Sequence, residues 1–165
     1  MNAGAYDGEM KDIIRSIEVV TESGEILELP IDECRMGYRK SIVQENPWFV
    51  IGVNLLLRKG DYNTIKAKMD DLNERRRSKQ PLEYPSAGST FRRPEGYFAG
   101  KLVQDCGFKG YCVGGAQVSE KHSGFVINKD NATADDIITL IQTILKKVIN
   151  VYVVDMRSEV ILIGE

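Results

Sequence analysis

A chain of 165 residues, 42% hydrophobic and 28% charged, is long enough to bury one core or two small ones and too apolar to remain disordered. A formal charge of −2 argues against a nucleic-acid binder, which needs a basic excess to displace counterions from phosphates. No apolar run reaches the ~20 residues that cross a bilayer, and no basic segment leads into an apolar stretch at the start, so neither a membrane span nor a signal peptide is expected.

In chain order, residues 13–21 alternate toward strand period, Glu22, Ser23 and Gly24 supply a turn, and EILELPI (25–31) alternates again, which predicts a hairpin. WFVIGVNLLLR (48–58) is a further apolar, β-branched run broken by Lys59, Gly60 and Asp61, and predicts a third strand. From Asn63 the spacing changes: Ile65, Met69 and Leu72 recur at helical intervals between charged residues, so a helix should run until just before Pro81. Its basic end, Arg75, Arg76 and Arg77, could touch nucleic acid, but cations there also complement the negative end of the helix dipole, and a solvated face is the preferred reading.

FAGKLVQDC (98–106) predicts a short helix ended by Gly107. Thr133 and Asp136 form a T-x-x-D capping box, after which Ile137, Ile141, Ile144 and Val148 follow at spacings of four, three and four, with Lys146 and Lys147 near the end. VINVYVVD (148–155) and EVILIG (159–164) read as strands. Hairpins, then helices, then strands, without a regular βαβ rhythm, make the expected fold class α+β.

Cys34, Cys106 and Cys112 are odd in number and lack a C-x-x-C spacing, and the single His122 completes no zinc pattern with them; reduced thiols, no metal and a cytoplasmic protein are expected. The loop at 86–89, Ser-Ala-Gly-Ser, sets two hydroxyls around a glycine that lets backbone N–H groups face an anion, and Lys79, Arg92 and Arg93 could add charge-assisted bonds to a phosphate. No Walker or G-x-G-x-x-G spacing is present, so on pattern alone an ordinary surface loop is the preferred reading. CRMGYRKSI (34–42), the glycine-rich MNAGAYDGE (1–9), the Gly-Gly turn before His122 and Glu159 at the head of an apolar strand each admit an ordinary structural role when taken alone.

Taken in order, however, MNAGAYDGEM, CRMGYRKSI, SAGSTFRRP, AGKLVQDCGFKGYCVGGAQVSEKHSGFVIN and EVILIGE resemble one family along the whole chain, UDP-N-acetylenolpyruvoylglucosamine reductase, also called UDP-N-acetylmuramate dehydrogenase or MurB. The resemblance implies a flavoenzyme of peptidoglycan precursor synthesis that uses NADPH and FAD to reduce the enolpyruvyl ether of a UDP-sugar. It implies catalytic roles for Arg39, Ser89 as proton donor and Glu159. It implies substrate contacts at Tyr38, Lys79, Arg93 and His122, and flavin contacts at Asn2, Ala3 and Gly4. At Arg93 some members of the family carry an amide, at His122 a glutamine, and at Asp7 many carry glycine.

The family's first FAD-binding subdomain would precede the point where this sequence starts, and Met1 stands where relatives have an internal methionine. Residues 1–80 are accordingly expected to be a partial second FAD-binding subdomain, completed by a strand at 156–165, with 81–155 as the substrate-binding domain. Two outcomes follow for the isolated chain: an enzyme part that binds FAD weakly or not at all and is inactive alone, or a non-redox UDP-sugar binding module. Metal, membrane and nucleic acid are not expected as partners.

Overall fold

The structure, a computed structural model, describes residues 1–164. By its internal contacts the chain divides after Tyr62 into two compact units, where the sequence placed a boundary after residue 80.

In the first unit, β1 (Gly4–Ala5) and β2 (Gly8–Glu9) form a small ribbon, and β3 (Ile14–Val20), β4 (Ile26–Pro30) and β5 (Phe49–Leu55) form an antiparallel sheet in the order β4–β3–β5. The hairpin turn falls where expected, with Gly24 at φ +81, a conformation that costs glycine nothing. β3 is central, so its side chains are held from both sides. Ile14, Ile17 and Val19 are buried with Cys34, and Leu27, Leu29, Val43 and Trp48 pack around them. Ser16 is buried too and is satisfied across all three strands, donating to Glu28 Oε1 at 2.7 Å and accepting from Asn54 Nδ2 at 2.9 Å. β5, by contrast, pairs only with β3 among the described residues and leaves Phe49, Val50, Ile51, Val53 and Leu55 exposed.

The second unit begins with α1 (Tyr62–Lys79, its first residue belonging to the first unit), where the sequence predicts a helix. α1 buries no residue; Ile65 and Met69 are exposed, and ion pairs one turn apart, Lys66 with Asp70 and Arg75 with Asp71, line its surface. α2 (Ala99–Asp105) buries Ala99, Leu102 and Val103. Three short antiparallel strands follow, β6 (Cys112–Val113), β7 (Ala116–Val118) and β8 (Val126–Asn128), with Gly114 and Gly115 as the two-residue loop between β6 and β7. Runs this short carry no readable period, and the sequence reading passed them over. α3 (Ala134–Tyr152) opens with the expected capping box, Thr133 Oγ1 accepting from the Asp136 N–H while Asp136 Oδ2 accepts from the Thr133 N–H at 2.9 Å. It buries Leu140, Ile141, Ile144 and Val148 against Phe91, Val103, Val118 and Met156.

The last part of the chain corrects two expectations. VINVYVVD is not a strand: α3 continues through Tyr152 and stops at Val153, which takes left-handed φ +57. Val148 sits four residues after Ile144 on the buried stripe, and packing of that stripe outweighs the local β-propensity of valine and isoleucine. The strand expected at 156–165 is likewise absent over the described residues; that segment makes one antiparallel bridge, Ser158 to Phe91, and groups with the second unit. Ile161, Leu162 and Ile163 are exposed, and Glu165 lies outside the described residues.

Candidate functional site

In the second unit the SAGS loop is sewn to β8. Asn128 N donates to Pro85 O and Thr90 N to Gly124 O, both at 2.8 Å, and the buried Thr90 hydroxyl accepts from Val126 N at 2.8 Å. Gly88 takes φ +80, so the loop turns sharply and leaves Ser89 exposed on a backbone that cannot drift. Ser89 lines a cleft of about 520 Å³ together with Arg93, Phe98, Gln104, Lys121 and His122. Arg93 donates from Nε to Tyr97 O at 3.2 Å, and its guanidinium lies 4.1 Å over the Phe98 ring.

His122 is oriented by its neighbours. Its Nδ1 accepts from Gly124 N–H at 3.0 Å and its ring meets Phe125 edge-on at 5.0 Å. An accepting Nδ1 leaves Nε2 to carry the proton of the neutral ring, an assignment made from the hydrogen bond. Two glycines make that pose possible: a Cβ on Gly124 would sit 2.9 Å from His122 Cε1, and one on Gly100 3.3 Å from it.

Glu159 does not line this cleft, but it is tied to the loop that does. Its N–H donates to Thr90 O at 2.8 Å, and its largely buried carboxylate lies 3.3 Å from Arg92 Nε. Lys79, the last residue of α1, lies outside the cleft as well. The last turn of that helix is held from the cleft side, since Lys121 Nζ donates to Arg77 O at 2.8 Å and pairs with Glu83 at 3.5 Å.

The first unit gathers Asn2, Gly4, Tyr38 and Arg39 around a cleft of its own, about 460 Å³. Gly37 and Lys40 exchange backbone hydrogen bonds at 3.0 and 3.2 Å, which forces Tyr38 and Arg39 into a two-residue turn with Arg39 at φ +54. A non-glycine residue held there is strained, and such strain collects at functional positions. Two ion pairs to Glu45 brace the turn, from Lys40 at 3.0 Å and Arg35 at 2.7 Å, and the Lys40 contact holds the Glu45 carboxyl below its ordinary range.

Asn2 is 2% exposed and its amide is committed at both ends, donating to Glu9 Oε2 and accepting from Lys11 N, each at 2.9 Å. Ala3 is exposed and not part of the cleft wall. The FAD implied by the resemblance meets a mixed surface here. Gly4 is exposed but its Cα faces Glu9, whose Cγ lies 3.1 Å from where a Cβ would stand, and Asp7, Glu9 and Asp12 share the wall with Lys11 and Arg39, which does not suit a dianionic pyrophosphate. Among the described residues no group of three His, Cys, Asp or Glu side chains is placed to hold a metal ion, and no helix is long and apolar enough to cross a membrane.

Of the residues singled out in the sequence, the structure thus brings Ser89, Arg93 and His122 together in one cleft and Asn2, Gly4, Tyr38 and Arg39 in another. Phe98, Lys101, Gln104 and Lys121 were missed. The signal was there: Phe98, Lys101 and Gln104 recur every third residue on the face of α2 opposite the buried Leu102 and Val103.

Known proteins resemble this chain in sequence and fold. Residues 80–163 match the family described as UDP-N-acetylenolpyruvoylglucosamine reductase, C-terminal domain. Proteins named UDP-N-acetylenolpyruvoylglucosamine reductase from Caldanaerobacter subterraneus subsp. tengcongensis and Clostridium perfringens (strain SM101 / Type A) are 53% identical over 100% of this chain and 56% identical over 99% of it. The chain spans about half the length of these curated relatives, 55% and 54%. The crystal structure of UDP-N-acetylenolpyruvylglucosamine reductase (MurB) from Thermus caldophilus has a TM-score of 0.81 at 31% identity, over 96% of this chain and 57% of that one.

Proposed function

The chain belongs to the UDP-N-acetylenolpyruvoylglucosamine reductase family, and from that premise we propose that it carries the substrate-binding and proton-donating part of the reduction of UDP-N-acetylglucosamine enolpyruvate to UDP-N-acetylmuramate in the cytoplasm. In the family's full-length enzyme FAD, reduced by NADPH, would supply the hydride at C3 of the enolpyruvyl group, and the residues of this chain would act on the negative charge that C2 and its carboxylate then carry. Ser89 gives its hydroxyl proton to C2; a serine is a weak acid, and it serves because the carbanionic carbon is a far stronger base held beside it. Arg39 stabilises the carboxylate as charge develops, and Glu159 completes the catalytic set. Arg93 and Lys79 hold the diphosphate, and Tyr38 and His122 bind further along the substrate, His122 as an Nε2–H donor.

The observation that carries this reading is the common cleft of Ser89, Arg93 and His122: a proton donor, a fork for phosphate oxygens and an oriented imidazole face one volume. The mixed-charge wall around Gly4, with three carboxylates against two cations, favours a second reading for the chain taken alone, a UDP-sugar binding module that retains little FAD and does not turn over. Calorimetric titration with the enolpyruvyl UDP-sugar, a flavin absorbance spectrum and an NADPH oxidation assay separate the two. Binding without flavin or turnover supports the module. Stoichiometric flavin with turnover supports the complete reaction, and in that case S89A should leave flavin reduction by NADPH intact while slowing its reoxidation by substrate.

A further inference from the structure

Resting on the reading of Ser89, His122 and Glu159 proposed above, we infer that Thr90 is the positioning residue that holds these three in one register. Thr90 is 2% exposed and does not line the cleft, so it acts only through the groups it holds. Each of its polar groups is committed to another segment of the second unit. The N–H donates to Gly124 O, the hydroxyl accepts from Val126 N and the carbonyl accepts from Glu159 N, all at 2.8 Å. Ser89 is its neighbour in the chain. Gly124 in turn donates its own N–H to His122 Nδ1 at 3.0 Å, so the glycine held by Thr90 is the one that sets the imidazole. The Glu159 branch is reinforced one and two residues further on, by the bridge between Phe91 and Ser158 and by Arg92 N donating to Arg157 O at 2.8 Å.

Any residue at position 90 could make the two backbone bonds, but the third needs the hydroxyl. Along its outer edge β8 meets backbone at Ile127, which bridges to Ser86, and at Asn128, whose N–H donates to Pro85 O. At Val126 the acceptor is instead the Thr90 side chain. Valine has nearly the shape of threonine and lacks that oxygen, so T90V leaves a buried N–H without an acceptor two residues from Gly124. Serine keeps the oxygen.

The chain contains one histidine, so its imidazole nitrogen-15 signals are assigned without ambiguity and report the tautomer directly. The test records those signals, the Glu159 amide signal, the urea midpoint and the calorimetric affinity for the enolpyruvyl UDP-sugar in the parent, T90V, T90S and L140A. T90V is expected to move the imidazole signals toward a mixture of tautomers, to shift the Glu159 amide and to weaken the UDP-sugar about tenfold, the worth of one well-made hydrogen bond. T90S should restore both signals and bring the affinity within about twofold of the parent. L140A, an apolar core change, should lower the urea midpoint at least as far as T90V and leave the imidazole signals and the affinity as in the parent. Where T90V does not fold, T90A judged against T90S makes the same comparison. Parent-like imidazole signals and affinity in T90V would overturn the inference and keep the UDP-sugar reading, Thr90 then serving stability alone. T90S losing as much as T90V would also overturn it, the methyl group then being what matters. A folded parent chain that does not bind the UDP-sugar would remove that reading, and the inference with it.

Discussion

The two units hold the residues singled out in the sequence on very different foundations. In the second, thirteen buried hydrophobic residues form one continuous cluster around α3, and the loop bearing Ser89 is hydrogen-bonded to the strand that crosses it. In the first, the buried cluster is four residues under a three-stranded sheet, and Arg39 is held by a strained turn and surface ion pairs. Surface pairs of this kind contribute little individually and weaken with salt. The Ser89 cleft of the second unit therefore rests on packing, whereas the geometry around Arg39 depends on a few exposed charges. Ligand binding at the former can be measured without relying on the latter.

The contrast can be tested by substitution, beginning with the largest effect. A Cβ on Gly115 would fall 2.0 Å from Asp130 O and 2.6 Å from Ala132 N, both backbone atoms that cannot yield, so G115A should cost about 4 kcal/mol or more and abolish the melting transition of the second unit. If the first unit folds independently, its far-ultraviolet transition survives; simultaneous loss of both would show one cooperative body. L140A empties a fully buried position and should cost about 3 kcal/mol, read as a lower urea midpoint. T133A removes the cap acceptor of α3 and should cost about 1 kcal/mol in the same titration.

Asp136 adds a pH signature. Hydrogen bonds with Thr133, first backbone and then side chain, hold its carboxyl below the usual aspartate range. A depressed folded value means stability that is present above the unfolded value and lost as pH falls through the folded one. D136N should therefore be less stable than the parent at neutral pH and converge on it in acid; a constant gap would rule out the charged carboxylate as the cause. At the small end, I51K on exposed β5 should change stability by no more than about 0.5 kcal/mol in a thermal melt.

Much of this fold was legible because its strongest signals are local. The Thr133 capping box and the stripe of Ile137, Ile141, Ile144 and Val148 located α3, and the turn at Gly24 located the hairpin. The end of α3 was not legible, because Val148, Ile149 and Val151 favour a strand in isolation and become helical only through what Val148 packs against. The grouping of Ser89, Arg93 and His122 was reached through resemblance, since their shared cleft is created by the pairing of Pro85 and Thr90 with a strand more than thirty residues away. Phe98 and Gln104 were not legible because they lie exposed along α2, where nothing local separates a cleft wall from a solvated helix face.

The open side of β5 has a practical consequence. Phe49 is 75% exposed, Ile51 53% and Val53 46%, along a strand whose outer N–H and C=O groups have no strand to pair with among the described residues. Such a ribbon is a template onto which another chain can add. Preparations of this protein should accordingly be concentration-sensitive, with losses to precipitation set by how often two ribbons meet rather than by how firmly either unit is folded.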